Sequence, residues 1–320
     1  MTVLRTGRVG GDAEIVPSWR PGRLAQLWAF LTACSVVARA PRTAIIHAHM
    51  AADGSIPRKG LVLWVARRTG HPAAVTLHGS RFAAATERRP WLTRWAVRQA
   101  GLVFVLSDEM LQIVRELLPD ANVHLAPNPV ETVTDPTPAG EQPPGVFFGG
   151  EVGPRKGVDT LIAAWPAVRA AVPEATLTIA GPPTSLEVPV LDGVTQLGPV
   201  SRDRVRELIG ESRVVALPSR AEALPMILLE AMGTSRPFVA TAVGDVARLS
   251  ATGAGELVPP GDPEALAAAL IRYLAEPGTA TAAGDSGYAA CSADYSVAAM
   301  ARLTEAEYNR LRQSSAATAP

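Results

Sequence analysis

Short apolar runs that end in polar, glycine or proline residues alternate with helical segments along most of the chain. The predicted strands lie at 44–50, 73–77, 102–106, 122–128, 146–150, 175–181, 194–198, 213–219 and 237–241. The predicted helices between them include 57–69, 91–100, 158–171, 201–209 and 225–232. Continuous apolar runs are typical of parallel strands buried on both faces, so the alternation predicts an α/β protein. Ligands of such sheets bind at the carboxyl ends of the strands, where we therefore expect the functional residues.

One further apolar segment, Leu24 to Ala38, carries no charged residue. A transmembrane helix needs about 20 apolar residues, so this segment is too short to span a bilayer. Gln26, Thr32 and Ser35 also interrupt it. We expect a buried helix.

The length of 320 residues predicts two domains. The proline-rich stretch 133–145 has the composition of a linker. We therefore predict a first domain over residues 1–135 and a second over 136–295, with residues 296–320 forming a separate carboxyl-terminal segment.

The composition is that of an ordinary globular protein, with 48% hydrophobic residues and 30 basic against 30 acidic side chains. This excludes a disordered chain and argues against a protein that coats nucleic acid with its whole surface. Residues 1–135 carry 16 Lys and Arg against 10 Asp and Glu, a net charge of +6, whereas residues 136–320 carry 14 against 20, a net charge of −6. Two cysteines cannot form a disulfide framework, so we expect a cytoplasmic protein.

Basic pairs in the first half allow two interpretations. Arg58–Lys59, Arg67–Arg68 and Arg88–Arg89 could contact the anionic inner face of a cell membrane that carries a lipid-linked acceptor. They could equally lie on solvated helix faces. The sequence leaves both open.

The strongest chemical signal lies in residues 220–241, RAEALPMILLEAMGTSRPFVAT. Pro225 fits a first helical turn, because the N–H group that proline lacks would be unpaired there anyway. The free N–H groups of residues 226–228 are then expected to form an anion site.

Two carboxylates accompany this anion site. Glu222 precedes the helix and Glu230 follows eight positions later. A carboxylate beside bound phosphate is unfavourable unless it accepts hydrogen bonds, and sugar or ribose hydroxyls are natural donors. The alternative is an amphipathic helix with one solvated glutamate.

The Glu-x7-Glu spacing and its surroundings resemble the signature of retaining glycosyltransferases of family 4, which have the GT-B fold. The resemblance continues in register from about residue 43 to about residue 311. Further matching segments are HAHMA (47–51), TLHGS (76–80), LAPNPVE (125–131), GEVGPRKGVDTLIAAW (150–165), TLTIAGPP (176–183) and GELVPPGDPEALAAAL (255–270). The resemblance implies two Rossmann-like domains with parallel sheets facing across a cleft, and a helix near 297–311 that crosses back to the first domain before a disordered tail.

The resemblance also implies the roles of individual residues toward a nucleotide-diphosphate sugar. Glu230 would bind the ribose hydroxyls, Glu222 and His78 the donor sugar, and Lys156 the departing diphosphate, on which charge grows as the glycosidic bond breaks. The other implied donor-binding residues are Gly79, Gly150, Arg155, Gly181, Leu197, Val200, Ala223, Leu224, Pro225 and Met226. No Asp-x-Asp triplet occurs, so we expect neither a metal nor a cofactor besides the donor.

His47 and His49 share one face of a predicted strand and could be mistaken for metal ligands. No third ligand is evident, so we favour packing and hydrogen bonding for both.

Two departures from the family pattern bear on activity. Glu151 stands where the family has an arginine, five positions before Lys156, and we expect Arg155 to supply the missing charge. The family's first strand, glycine-rich loop and helix have no clear counterpart, so we expect the first domain to lack that unit.

The leading hypothesis is a retaining, metal-independent glycosyltransferase that moves a sugar to a hydroxyl acceptor, a glycan or lipid-linked sugar, in polysaccharide, glycolipid or glycoconjugate synthesis. The main alternative is a degenerate, non-catalytic scaffold protein. A GT-B epimerase and a nicotinamide-binding protein fit the motifs less well.

Overall fold

The computed structural model describes residues 2–5, 13–18, 21–78, 82–184 and 186–317. It divides into two compact units. Unit 1 comprises Met1–Pro127 together with Ala301–Pro320, and unit 2 comprises Asn128–Met300.

Unit 1 contains a six-stranded sheet with helices packed against it. Its strands are β1 (Thr2–Arg5), β2 (Ala13–Val16), β3 (Ile45–Met50), β4 (Ala73–Leu77), β5 (Leu102–Val105) and β6 (Val123–Leu125). Its first helices are α1 (Arg23–Arg39), α2 (Ser55–Arg68), α3 (Phe82–Arg88), α4 (Pro90–Val97) and α5 (Asp108–Leu117). The strand order is β2-β1-β3-β4-β5-β6. Strands β3 to β6 are parallel, as predicted.

Strands β1 and β2 were not predicted. Strand β1 runs antiparallel to both β2 and β3, so the sheet of unit 1 is mixed rather than purely parallel. This antiparallel pair precedes α1, in the part of the chain where we expected no clear first unit. The loop between the two strands lies outside the described residues.

Helix α1 is only half buried, so the prediction of a buried helix is wrong for one of its faces. The buried face consists of small side chains, among them Ala33 and Val37. The opposite face is an apolar stripe at i, i+3, i+4 and i+7, with exposures between 49% and 76%: Leu24, Leu27, Trp28 and Leu31. The absence of charge from this segment indicated burial, but it did not show which side would face the core.

Unit 2 is a parallel sheet covered by helices. Its strands are β7 (Gly145–Gly149), β8 (Thr176–Ala180), β9 (Val194–Gly198), β10 (Val214–Leu217), β11 (Phe238–Thr241) and β12 (Gly255–Val258). Its helices are α6 (Val158–Ala171), α7 (Arg202–Glu211), α8 (Met226–Met232), α9 (Val246–Ser250), α10 (Pro263–Ala275) and α11 (Pro277–Asp294). The order β12-β11-β10-β7-β8-β9 is that of a doubly wound Rossmann sheet.

The stretch predicted as a linker is a packed part of unit 2. Ala139 is fully buried, and the carbonyl of Gln142 accepts a hydrogen bond of 2.9 Å from Arg213 Nε. The proline-rich composition correctly indicated that regular structure is largely absent, because only a short 3₁₀ turn at Ala139–Glu141 forms here. The segment is nevertheless packed against the rest of unit 2 and does not act as a free linker.

The last helix, α12 (Val297–Ala317), begins in unit 2 and continues into unit 1. Within unit 1, Tyr308 and Leu311 pack against β-strand residues that include Ile45 and Phe104. The helix extends beyond residue 311, and of the predicted disordered tail residues 318–320 lie outside the described residues.

Among the described helices, none combines the length and apolarity that crossing a membrane requires. The basic pairs of the first half are not all at the surface. Lys59 is 1% exposed, so its assignment to a membrane-facing pair is wrong. Residues Arg67, Arg68, Arg88 and Arg89 are exposed.

Candidate functional site

The order of the strands in unit 2 indicates where a ligand would bind. From β7 the chain runs outward through β8 and β9, then returns to place β10 on the other side of β7. The helices that follow β7 and β10 diverge, which leaves a crevice at the carboxyl ends of these two strands. The loops after β7 and β10 flank this switch point, and they contain Lys156 and Glu222 respectively.

The loop after β7 is held against its neighbours by two glycines. Gly157 has a φ of +71°, and a Cβ there would lie 1.8 Å from the carbonyl oxygen of Pro218, just after β10. Gly181 has a φ of +149°, and a Cβ there would lie 1.7 Å from the carbonyl oxygen of Gly150. Both positions therefore need glycine for backbone conformation and for close approach. This packing brings the ends of β7, β8 and β10 together.

An ion pair joins the two loops at the switch point. Lys156 Nζ donates to Glu222 Oε1 at 2.6 Å, and the two side chains are 16% and 9% exposed. The Ser219 hydroxyl donates to the same carboxylate oxygen at 2.6 Å. The Thr241 hydroxyl donates to the Ser219 carbonyl, which anchors the turn. Glu222 is therefore oriented by two donors from different elements.

Glu151 is not an isolated carboxylate in the place of an arginine. Arg155 Nη2 lies 3.4 Å from Glu151 Oε2, and both side chains are well exposed, at 52% and 39%. The 3₁₀ turn Pro154–Lys156 directs Arg155 toward Glu151, whereas Lys156 reaches Glu222. The two adjacent cations thus have separate carboxylate partners.

The start of α8 differs in part from the prediction. Pro225 caps the helix instead of occupying its first turn, and the helix begins at Met226. The N–H group of Leu228 donates to the Pro225 carbonyl at 3.2 Å. It is therefore not free, and its assignment to an anion site is wrong.

Glu230 lies on α8 and is half-buried. Burial raises the pKa of its carboxyl group, and the nearby guanidinium groups of Arg206 and Arg202 offset part of that rise. Burial disfavours the charged form because it removes water from the carboxylate.

The remaining residues of unit 2 that were predicted to bind the donor lie around the same edge of the sheet. The Ala223 carbonyl accepts a hydrogen bond of 2.8 Å from the Asp245 N–H group, and Leu224 is partly buried against the core. Leu197 on β9 is 41% exposed, whereas Val200 packs partly against the core. Leu197 thus offers an apolar surface at the end of β9.

Unit 1 contains a separate cluster of histidines at the carboxyl ends of β3 and β4. His49 Nδ1 and His78 Nε2 are 2.8 Å apart, so they share one hydrogen bond. Burial, with the positive charges of His78 and Lys59 nearby, lowers the pKa of His49 to about 4. Burial also lowers the pKa of His78. Gly79, predicted to accompany His78, lies outside the described residues.

His47 is held by hydrogen bonds within the fold of unit 1. Its Nε2 lies 2.7 Å from Thr76 Oγ1, and its Nδ1 contacts the hydroxyl of Tyr308. The rings of His47 and His49 stack with centroids 4.8 Å apart. These contacts agree with packing and hydrogen bonding. Among the described residues, no group of three or more His, Cys, Asp or Glu side chains is arranged to hold a metal ion.

Ser219 and Thr241, which hold the Glu222 turn, were not predicted from the sequence, and neither was the contact of Tyr308 with His47. Ser219 and Thr241 each end a predicted strand at the carboxyl edge of the sheet, which was the available signal. Tyr308 had no such signal, because its contact with His47 joins residues 261 positions apart.

Two Rossmann-like units in one chain, the second with charged loops at its switch point, define a protein of the GT-B class. The sequence profile described as "Glycosyl transferases group 1" matches residues 143–276, and that described as "Glycosyl transferase 4-like domain" matches residues 4–129. The chain belongs to the group 1 glycosyltransferases.

Similar characterised proteins have related descriptions. The chain is 29% identical over 300 residues to alpha-D-kanosaminyltransferase of Streptomyces kanamyceticus, covering 83% of this chain and 76% of that protein. It is 28% identical over 277 residues to the lipopolysaccharide core biosynthesis mannosyltransferase LpcC of Rhizobium leguminosarum, covering 78% of each chain. It is 32% identical over 159 residues to a phosphatidyl-myo-inositol mannosyltransferase of Propionibacterium freudenreichii, covering 48% of this chain and 41% of that protein.

Solved structures share the fold. Sucrose-phosphate synthase from Thermosynechococcus elongatus superposes with a TM-score of 0.61 and 24% identity, covering 84% of this chain and 74% of that one. Anabaena HepE in complex with UDP superposes with a TM-score of 0.70 and 17% identity, covering 90% of this chain and 84% of that one. At these identities the likeness establishes the GT-B fold.

Proposed function

We propose that this glycosyltransferase moves a sugar from a nucleotide-diphosphate donor to a hydroxyl acceptor, with retention of anomeric configuration and without a metal ion. The observation that carries the proposal is the Lys156–Glu222 pair at the switch point of unit 2. It sets a cation and a hydrogen-bond acceptor side by side where a doubly wound sheet binds its ligand.

Lys156 is the proposed stabiliser of the leaving group. Negative charge accumulates on the diphosphate as the bond to the sugar breaks, and a cation already in place lowers the free energy of that state. Glu222 keeps the ammonium group near the carboxyl end of β7 in the free protein. The chain therefore need not recruit a divalent ion for this charge.

Glu222 and Glu230 are proposed to accept hydrogen bonds from hydroxyl groups of the donor. Glu222 would bind the sugar hydroxyls and Glu230 the ribose hydroxyls. Hydrogen bonds from hydroxyl groups favour the ionised form of a carboxyl group. Such donors would therefore offset the burial that raises the pKa of Glu230. Glu222 already accepts a hydrogen bond from the Ser219 hydroxyl, so its geometry suits this role.

Retention is proposed to follow from front-face attack, with a donor phosphate oxygen taking the acceptor proton. None of the proposed site residues is a convincing nucleophile for a covalent intermediate. His78 is a proposed contact to the donor sugar. Its hydrogen bond to His49 fixes the imidazole that would make this contact.

Arg155 is the proposed substitute for the family arginine that Glu151 replaces. Because Glu151 and Arg155 are both exposed and 3.4 Å apart, their ion pair is weak enough for a diphosphate to compete with it. A diphosphate would then draw Arg155 toward Lys156.

The names of two similar proteins support a glycan or a lipid-linked sugar as the acceptor. One is described as acting in lipopolysaccharide core synthesis and another as a mannosyltransferase of phosphatidyl-myo-inositol. HepE was solved with UDP-glucose, which makes a uridine donor the first to test. Peripheral contact with an anionic membrane stays a proposal that rests on the exposed arginine pairs without Lys59.

Calorimetric titration with UDP and GDP is the first test, with Lys156→Met and Glu230→Gln as variants. We expect binding of one nucleotide and at least a 10-fold loss of affinity in each variant, since each removes a charge-assisted contact. Glu207→Gln on the exposed surface of α7 is the control and should bind like the wild type. Binding of neither nucleotide would favour the scaffold alternative.

Turnover is the second test. The full chain is incubated with a panel of nucleotide sugars and with simple glycoside acceptors, and NMR follows the anomeric configuration of the products. We expect transfer or donor hydrolysis that EDTA does not abolish, an α-configured product from an α-linked donor, and a loss of about 100-fold in kcat for Lys156→Met. An inverted product or a requirement for a divalent ion would contradict the proposed mechanism.

A further inference from the structure

A cavity of about 970 Å³ opens at the amino-terminal edge of the sheet of unit 1. Residues that immediately precede β3, β4 and β5 line it, among them Thr43, Pro72 and Gly101. The last turns of α12 close one side through Leu311 and Ser315. Since β3 spans six residues, the histidine cluster at the other edge of the sheet is roughly 20 Å away. The cavity is therefore separate from the histidine cluster, and it shares no lining residue with the proposed donor site of unit 2.

The charges that line the cavity are all of one sign. Four arginines contribute to its wall: Arg42, Arg67, Arg98 and Arg312. The described lining residues include no Asp or Glu. For Arg42, Arg67 and Arg98, no ion pair with a carboxylate forms among the described residues. Arg67 Nη1 donates a weak hydrogen bond to the Arg98 carbonyl at 3.5 Å.

Helix dipoles offset part of this positive charge. Helices α2, α4 and α12 end beside the cavity, at Arg68, Val97 and Ala317 respectively. Each contributes about half a negative elementary charge. Together they offset about half of the charge of Arg42, Arg67 and Arg98, and the wall stays positive.

The shape and lining indicate the chemical class of the ligand. A volume of this size holds a small molecule. The one aromatic ring in the wall, His71, has both nitrogens engaged, by Thr69 Oγ1 at 2.8 Å and the Ala40 carbonyl at 3.1 Å. The wall thus offers guanidinium groups and, among its described residues, no aromatic ring besides His71. Guanidinium groups bind phosphate oxygens in a bidentate manner.

We propose that this cavity binds a phosphorylated ligand, at a site distinct from the donor site of unit 2. The ligand class is a small polyanion with one or more phosphoryl groups, either free in solution or as the head group of a lipid. Neither the donor nor the transfer reaction is needed for this site to bind.

The test is calorimetric titration of the full chain with pyrophosphate at 50 mM salt. Because pyrophosphate could also occupy the donor site, the titration is run in the wild type and in Lys156→Met. We expect binding that survives Lys156→Met and is weakened at least 30-fold in Arg42→Gln/Arg98→Gln. The control Arg94→Gln/Arg115→Gln removes the same charge from exposed positions of unit 1 outside the cavity.

The outcomes separate the proposal from its rivals. No binding of pyrophosphate, or equal weakening by the control double variant, overturns it. If Lys156→Met abolishes binding and Arg42→Gln/Arg98→Gln does not weaken it, the pyrophosphate binds at the donor site, and the proposal is overturned. Thermal unfolding of the arginine variants checks that exposed substitutions leave the fold intact.

A second measurement distinguishes the two sources of the phosphoryl group. Co-sedimentation with vesicles of phosphatidylcholine plus phosphatidic acid is compared with phosphatidylcholine alone. Vesicle binding that Arg42→Gln/Arg98→Gln abolishes would support a lipid head group. Pyrophosphate binding without vesicle binding would support a free phosphorylated ligand.

Discussion

The Lys156–Glu222 ion pair can be tested without knowledge of the substrate. We predict that Lys156→Met and Glu222→Gln each lower the free energy of unfolding of unit 2. The double variant should cost little more than the worse single variant. The reason is that each single substitution leaves the other member of the pair half-satisfied in a mostly buried position.

The magnitude follows from burial and from the remaining partners. Breaking a buried pair from one side costs about 3–5 kcal/mol, whereas an exposed pair contributes about 0–1 kcal/mol. With exposures of 16% and 9%, this pair lies nearer the buried limit. The Ser219 hydroxyl continues to satisfy Glu222 when Lys156 is lost, which reduces the cost. We therefore expect about 2–3 kcal/mol for Lys156→Met and a coupling free energy of about 2 kcal/mol.

Native-state hydrogen exchange at increasing urea is the assay, because amides of β7 and β10 report unit 2 separately from unit 1. The control cycle uses Arg204 and Glu207, an ion pair of 2.8 Å whose side chains are 42% and 60% exposed. Its coupling should stay below about 0.5 kcal/mol. If the effects of Lys156→Met and Glu222→Gln add to within about 0.5 kcal/mol, the two groups are not coupled and the reasoning is refuted.

Three further predictions concern single residues. Glu230→Gln should stabilise the free protein at pH 7 while weakening nucleotide binding. Because burial raises the carboxyl pKa above its usual 4.5, the gain should appear as pH rises above 4.5 and vanish below it; urea unfolding at pH 4 and pH 7 measures it. Gly157→Ala should lower the free energy of unfolding by about 3 kcal/mol or more, because the left-handed backbone is strained and the new Cβ clashes with Pro218. Gly261→Ala is the control, at φ +75° with nothing within 4 Å, and should cost only about 1–2 kcal/mol. Equal losses in the two variants would contradict the packing of the loop. For His49, whose pKa is lowered from 6.5 to about 4, stability is present above pH 6.5 and lost as pH falls toward 4; hydrogen exchange of β3 should show this loss, and His49→Gln should reduce it.

The parallel strands other than β12 (Gly255–Val258) could be predicted because their apolar runs are short and end in clear turn signals. The strands β3, β4 and β9 lie within a residue of their predicted bounds. Strands β1 and β2 could not, since residues 2–16 contain no run that distinguishes an antiparallel edge pair from a loop. The exposed stripe of α1 was missed for a related reason. The number of apolar residues gives the overall hydrophobicity of a helix, whereas burial depends on which side of the helix the sheet covers.

The proposed site shows the same division between local and distant information. The carboxylates Glu222 and Glu230 could be found because both lie in one short segment, the first just before α8 and the second within it. The ion pair from Lys156 to Glu222 joins residues 66 positions apart, and it depends on the strand order that sets β7 beside β10. The N–H group of Leu228 was misassigned because only the structure shows that Pro225 caps the helix and accepts that bond.

The Lys156–Glu222 pair also resolves an electrostatic difficulty raised by the sequence. A carboxylate at the edge of an anion site opposes the anion, unless the two interact with a common cation. In the free protein the carboxylate holds the ammonium group in place, so the site is preorganised at little net charge. In the proposed reaction the ammonium group would share its hydrogen bonds with phosphate oxygens of the bound diphosphate, and the carboxylate would then need new donors. Sugar hydroxyls would supply those donors and a bare diphosphate would not, so the same ion pair would favour a donor that still carries its sugar.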